Sequence, residues 1–441
     1  MKTRKFLAVS AVMAMSMIGL AACGGGSSNA GDGNTGGGDD GGSAAEPVTL
    51  TFWHNSTTGA GKDYWDEVAA AYMAENDNVT IEIQAIQNED MDGKLQTALN
   101  AGDAPDIFMA RGGGKLADIV QANQVMDLTD LITDETRAAV GDGVLAAFTI
   151  DGKLYGMPTS ILPGGMFYSK DVFDAAGIST PPANFTELSD AVQKLKDSGV
   201  EPIALGGKDA WPAAHWYYFM ALRVCSKEAM DAAAATRTLE DPCWVKAAEE
   251  LKAFADTQPF NSGFLSTSAQ QGAGSSAGMI ANRQAGMELM GAWNPGVIAD
   301  LTPDKQPLPD LAWFPFPAVE DGEGDPTAMM GGVDGYACWV NAPVECADFL
   351  NFYMKKEWQE GHATAFQTLP ASQEGQGVGE TPALQDILAA YNESAYTSVW
   401  LDTLFGQNIG NALNAGVVEM LAGSGTPQGV IDATNDAAAR G

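Results

Sequence analysis

From Val48 the chain alternates strictly, with Val48, Leu50 and Phe52 on one side and Thr49, Thr51 and Trp53 on the other. That is the period of a strand. A polar turn, His54 to Gly61, leads into Lys62–Glu75, where Tyr64, Trp65, Val68, Tyr72 and Met73 recur at helical spacing. Asn76-Asp77-Asn78 ends that helix, and Val79–Ile83 alternates again. Strand, helix and strand in succession make a βαβ unit with parallel strands. The pattern continues with a predicted helix over Asp90–Asn100 and an apolar strand over Ile107–Ala110. A second set follows: strands at Met166–Tyr168, Pro202–Leu205 and Gly286–Met290, with helices at Lys170–Ala176 and Thr186–Ser198. Ala383–Tyr391 and Asn411–Leu421 read as helices of the tail. Two α/β sets in one chain predict two lobes, since a body of this length exceeds one hydrophobic core.

Two extended segments are expected to join the lobes. Tyr155-Gly156-Met157-Pro158-Thr159-Ser160 follows the first set, and Trp313-Phe314-Pro315-Phe316-Pro317 the second. Each proline forbids helix for the residue before it. Ligand sites in open α/β sheets form beyond the carboxyl ends of strands and between domains, so the loops after strands are where chemistry is expected.

The head of the chain is of another kind. Lys2, Arg4 and Lys5 precede an apolar stretch from Phe6 to Leu20 and then Leu20-Ala21-Ala22-Cys23. This pattern predicts an export leader over residues 1–22 rather than a membrane span. The tetrapeptide resembles a lipobox, in which Cys23 is lipidated and becomes the new N-terminus. Gly24 to Ala45 has ten glycines in twenty-two residues and almost nothing to bury, so it is read as a flexible tether. The expectation is a protein held by lipid on the outer face of the cytoplasmic membrane, in the manner of Gram-positive lipoproteins.

Charge excludes several partners. The formal charge is −34, and −37 once Lys2, Arg4 and Lys5 leave with the leader. Nucleic acid and anionic lipid both require clustered Lys and Arg, so neither is expected. Beyond Cys23 stand Cys225, Cys243, Cys338 and Cys346. Three pairings are open, and proximity in sequence favours Cys225–Cys243 and Cys338–Cys346 in an oxidising compartment. With no C-x-x-C, and with His54, His215 and His362 away from the cysteines, a metal site is not expected.

Taken in order, several pieces resemble the extracellular solute-binding protein family 1, the sugar-binding lipoproteins of ATP-driven (ABC) importers. They are the lipobox, Thr49–Trp53, Lys94–Phe108, Tyr155-Gly156-Met157-Pro158, Gly291-Ala292-Trp293 and Gly331-Gly332-Val333-Asp334-Gly335-Tyr336. The resemblance implies a two-lobed, type II periplasmic-binding-protein-like α/β fold that closes by a hinge on an oligosaccharide. It implies lobes over 46–155 with 315–370, and 156–314 with 371–441. It further implies delivery to membrane permease subunits served by a separate ATPase, with no cofactor, no catalysis and a monomeric chain. Phe260–Gly278 and the region between Cys225 and Cys243 depart from the family's general pattern.

A sugar site needs aromatic platforms for C–H faces and polar partners for hydroxyls. Trp211, His215 and Trp216 lie in a cluster that follows a strand and a Gly-Gly turn; Tyr217 and Tyr218 read as core or rim. Trp293 is followed at once by Asn294-Pro295-Gly296, a turn that a core tryptophan rarely needs. Trp53, His54 and Asn55 follow the first strand, with Asn55 also a candidate helix cap. Arg111 precedes three glycines that let backbone approach a ligand. Asp334 and Tyr336 sit among glycines, and Trp400 with Asp402 form a similar pair. Asp106 is read as shaping the start of its strand, and Trp65, Trp244, Trp339 and Trp358 as core. The rival readings are an extracellular glycoside hydrolase, which needs two flanking carboxylates, and a lipoprotein binding a non-sugar solute. No G-x-x-x-x-G-K-[ST] occurs.

Overall fold

The computed structural model describes residues 46–377 and 381–440; the leader, Cys23 and the tether fall outside them. The first set of elements is β1 (Val48–His54), α1 (Gly59–Glu75), β2 (Val79–Ala85), α2 (Asn88–Ala101), β3 (Ile107–Arg111) and α3 (Gly114–Gln121). β1 runs parallel to both neighbours, with Val48 opposite Val79 and Phe52 opposite Ile107. Leu50, Phe52, Trp65, Val68 and Phe108 form the centre of a core that Phe349 and Tyr353 complete from far down the chain. The predicted βαβ unit is therefore present, with α1 and α2 starting three and two residues ahead of the predicted starts.

The second set packs separately. Strand Glu201–Ala204 lies parallel to strand Ala285–Gly291, Ile203 opposite Met287. On one face lies a core containing Trp216, Phe219, Leu251 and Phe316. On the other lies one containing Phe167, Met290, Trp313 and Ile387. Helix Phe185–Asp197 begins at Asn184, whose side chain accepts from Glu187 N–H. The architecture is the two-lobed α/β fold, one sheet path running through both halves.

One long strand joins the halves. Met157–Ser169 is buried along its whole length. Its first part pairs antiparallel with the return strand Met329–Cys338, Ser160 opposite Asp334. From Gly164 it pairs instead with Ala285–Gly291. Pro158 and Pro163 give this stretch the look of a broken segment, because proline cannot donate to a ladder. The structure places Pro163 where the partners change, and Pro158 beside a bulge in the return strand at Asp334/Gly335. Neither position needs a full ladder.

Trp313–Pro317, expected as the second crossing, does not cross. Trp313, Phe314 and Phe316 all pack in the second half. The return strand crosses in their place: Met330 belongs to the second core and Tyr336 to the first. Both disulfides favoured by spacing are formed, Cys225–Cys243 with Cα atoms 5.1 Å apart and Cys338–Cys346 with 6.0 Å. Among the described residues no helix is long and apolar enough to cross a membrane.

Candidate ligand-binding cleft

The halves face each other across a cavity of about 830 Å³, within the usual range for small-molecule sites. One wall is aromatic. Helix Trp211–Val224 puts Trp211 and His215 one turn apart on the same side. His215 stacks on Trp400, centroids 4.2 Å apart and planes 9° from parallel. Trp293 meets Trp211 and Trp400 edge-on, each at 6.0 Å. Ala210, just ahead of Trp211, is held at φ 63°, an unusual conformation for a residue with a Cβ. The Trp400 indole lies against Gly332, where a Cβ would stand 2.8 Å from its ring, so the glycine is needed for that approach.

Several buried polar atoms of this wall lack a protein partner: Nε1 of Trp211, Nε1 of Trp293 and Nδ1 of His215. Burial lowers the His215 pKa to about 4, with the charge of Asp402 opposing, so the ring is neutral at physiological pH. Behind Trp293 lies Glu288, 1% exposed. Asn294 Nδ2 donates to its Oε2 at 2.8 Å, Oε1 has no partner, and burial pushes the carboxyl up to about 7.

The opposite wall is polar. The sheet register sets Asp334 directly across from Arg111. Arg111 donates to Asp92 and Asp334, each at 3.3 Å, and to Asn88 Oδ1 at 2.8 Å. Lys115 donates to Asp92 at 2.9 Å and lies 3.6 Å from Asp402. Burial disfavours every charge here, yet at Asp92 the nearby Arg111 and Lys115 outweigh it and the carboxyl stays well below its usual range. Asp402 is lowered as well, Lys115 being the main force against burial. At Asp334 burial wins over Arg111 and the carboxyl is raised. Asn55 joins the wall by donating to Asn88 at 3.2 Å. Ser160 Oγ and His362 Nε2 lie 2.7 Å apart, and burial lowers His362 to about 3.

The halves also touch. Asp118 on α3 pairs with Arg237 at 2.8 Å, and Gln271 donates to Glu89 at 3.3 Å. The Asp300 carboxylate sits against Gly59 at the N-terminus of α1, where it accepts from the Ala60 N–H.

Nine of the twelve candidate residues line this one cavity: Asn55, Arg111, Trp211, His215, Trp293, Asp334, Tyr336, Trp400 and Asp402. Three do not. Trp216 is fully buried, packed among Phe254, Phe260 and Phe316, because five residues beyond Trp211 the helix has turned its side chain to the core. His54 is fully buried beside Phe52 and Trp65; its Nδ1 accepts from Ser56 N–H, and burial lowers it to about 4. Trp53, on the other side of the strand, lines a shallow depression with Asp90 and Lys94 instead. Asp106 ties β3 to β1 by accepting from Thr51 N–H and Oγ1, both at 2.8 Å. Sequence reasoning misses Asn88, Asp92, Lys115, Ser160 and His362. The signal for the first two is that they fall at i and i+4 on the same stripe of α2 as the buried Met91, Leu95 and Leu99, so polar side chains continue an inward-facing row. Trp65, read as core, is 1% exposed and still forms part of the cavity wall. Among the described residues no group of His, Cys, Asp or Glu is arranged to hold a metal ion.

A family model described as bacterial extracellular solute-binding protein matches residues 55–360. The chain belongs to that family. Its relatives include the diacetylchitobiose binding protein DasA of Streptomyces coelicolor, 23% identical over 83% of this chain and 82% of that one. The melibiose/raffinose/stachyose-binding protein MelE of Bacillus subtilis is 24% identical over 38% of this chain and 39% of its own. Among solved structures, a chitin oligosaccharide binding protein superposes with TM-score 0.81 at 24% identity, covering 90% of this chain and 99% of that chain. A protein studied for xylan utilization in Caldanaerobius polysaccharolyticus gives the same TM-score and identity, over 89% and 100%. These likenesses establish the family's fold for this chain.

Proposed function

We propose that this chain is the receptor of an ABC importer, capturing an oligosaccharide between its lobes and presenting it to a membrane permease without cleaving it. The observation that carries this reading is the aromatic wall of Trp211, Trp293 and Trp400, with the indole N–H groups of Trp211 and Trp293 unpartnered, facing a hydrogen-bonding wall across the cleft. Flat aromatic faces suit sugar C–H surfaces, and the opposite wall suits hydroxyls. Trp293 and Trp400 stack on rings in this reading; Arg111, Asp334 and Asp402 bond hydroxyls. The lobes divide within the two crossing strands, Met157–Ser169 and Met329–Cys338, because residues on either side of each pack in different cores. Closure then follows from ligand contacts to both lobes. An export leader ending ahead of Cys23, with a tether behind it, supports a receptor held on the outer face of the membrane.

The hydrolase alternative draws no support from the cleft. Ser160 and His362 approach each other as a nucleophile and base would, but a histidine lowered to about 3 is a poor proton acceptor, and its Nδ1 has no carboxylate to orient it. Asp92 and Asp402 are held ionised by cations, which suits neither to protonate a leaving group, and Asp334, which burial raises, is engaged with Arg111 at 3.3 Å. The test is calorimetry of residues 46–441 against gluco-, xylo-, galacto-, manno- and chito-oligosaccharides, with the mixtures analysed for products. One-to-one binding of an uncleaved sugar supports the receptor; product formation overturns it.

A further inference from the structure

The charges lining the cleft restrict its ligand further. Six carboxylates reach the cavity, those of Glu89, Asp92, Asp209, Asp300, Asp334 and Asp402. Against them stand three cations. Arg111 and Lys115 are only 18% and 13% exposed, and both are engaged, Arg111 with Asp92 and Asp334, Lys115 with Asp92 and Asp402. Lys305 is exposed at the mouth, on the same segment as Asp300. Glu89 and Asp209 come from opposite halves and have no cationic partner within ion-pair distance among the described residues; Asp209 accepts from Ala269 N–H at 2.7 Å. Glu89 Oε1 is buried and unpaired.

Resting on the receptor reading, we propose that the cleft selects uncharged oligosaccharides and rejects those bearing uronate, sialate or phosphate groups. The reason is partly Coulombic and partly one of hydrogen-bond inventory. An ionised carboxylate is acceptor-only, so the spare capacity of Glu89 and Asp209 needs donors, which hydroxyl and amide N–H groups supply and an acid group does not. An acidic ligand would also have to draw Arg111 or Lys115 away from carboxylates that would be left buried and unpaired. His215 and His362 cannot supply the missing charge, since both are neutral at physiological pH.

The experiment is competitive capture by native mass spectrometry. Residues 46–441 are incubated with equimolar neutral and acidic partners of matched backbone: xylotriose with its glucuronosyl-substituted form, galactotriose with trigalacturonate, and lactose with sialyllactose. The expected result is retention of at least one neutral member, its acidic partner held at least tenfold more weakly. Glu89→Gln combined with Asp209→Asn should narrow that gap at least threefold. Acidic members held as tightly as their neutral partners would overturn this inference while leaving a sugar receptor in place. Capture of neither kind across the panel would overturn the receptor reading, and the inference with it.

Discussion

Replacing Glu288 by glutamine should stabilise the protein at alkaline pH and do little in acid. Glu288 is 1% exposed, its Oε1 has no partner, and its pKa stands near 7 against an ordinary 4.5. A carboxyl whose folded pKa is raised binds more protons folded than unfolded, so stability falls as pH rises from the unfolded value through the folded one. The shift corresponds to about 3 kcal/mol of folded-state penalty, fully present by pH 8 and reduced to about 1 kcal/mol at pH 5. Glutamine keeps an acceptor for Asn294 Nδ2 and never ionises. For a body of this length, about 3 kcal/mol corresponds to a rise in melting temperature of about 4 °C. The assay is thermal unfolding of both proteins at pH 5 and pH 8, read by circular dichroism and tryptophan fluorescence. Equal shifts at the two pH values, or a loss of stability at pH 8, would refute the argument that an ionised carboxylate is trapped behind Trp293.

Other substitutions separate site from scaffold. Trp216→Ala should lower stability by about 3 to 5 kcal/mol through the cavity it leaves, seen as a lower melting temperature. Asp92→Asn should cost stability at neutral pH and progressively less below about pH 4, because a carboxyl held low contributes only while it is ionised; pH-dependent unfolding reads this directly. Arg111→Ala should cost about 3 kcal/mol or more by leaving Asp92 and Asp334 without their guanidinium, with a parallel loss of sugar affinity in calorimetry. Converting Cys225 and Cys243 together to serine should cost about 3 kcal/mol, the loop-closure contribution for a span of this size, measured in urea.

The parts of the fold that depend on local pattern are legible in the sequence. The period-two run at Val48 and the helical stripe of Tyr64, Trp65 and Val68 each bury one face, so their periodicity reports their fold. The crossing strand Met157–Ser169 is not legible, because its prolines and glycines are tolerated only by the partners it finds elsewhere in the chain. The same division holds in the cleft. Trp293 and Asp334 stand out because turn residues flank them. Lys115 does not, since its role depends on Asp92 and on Asp402, nearly three hundred residues away. Trp216 and His54 mislead for a related reason: their neighbours in sequence point into the cleft, and a single step along a helix or strand turns the side chain to the core.

The account rests on the aromatic wall as the surface that holds a sugar. The direct measurement is a calorimetric titration of wild type, Trp293→Ala and Trp244→Ala with whichever oligosaccharide binds most tightly, each protein's melting temperature being recorded alongside. Trp244 lies in the core, 1% exposed. The account predicts one-to-one binding, with affinity lowered at least tenfold, about 1.4 kcal/mol, by Trp293→Ala at nearly unchanged melting temperature. Trp244→Ala should reverse that pattern, melting earlier while binding as wild type does in the folded fraction. Equal affinities for wild type and Trp293→Ala would contradict it.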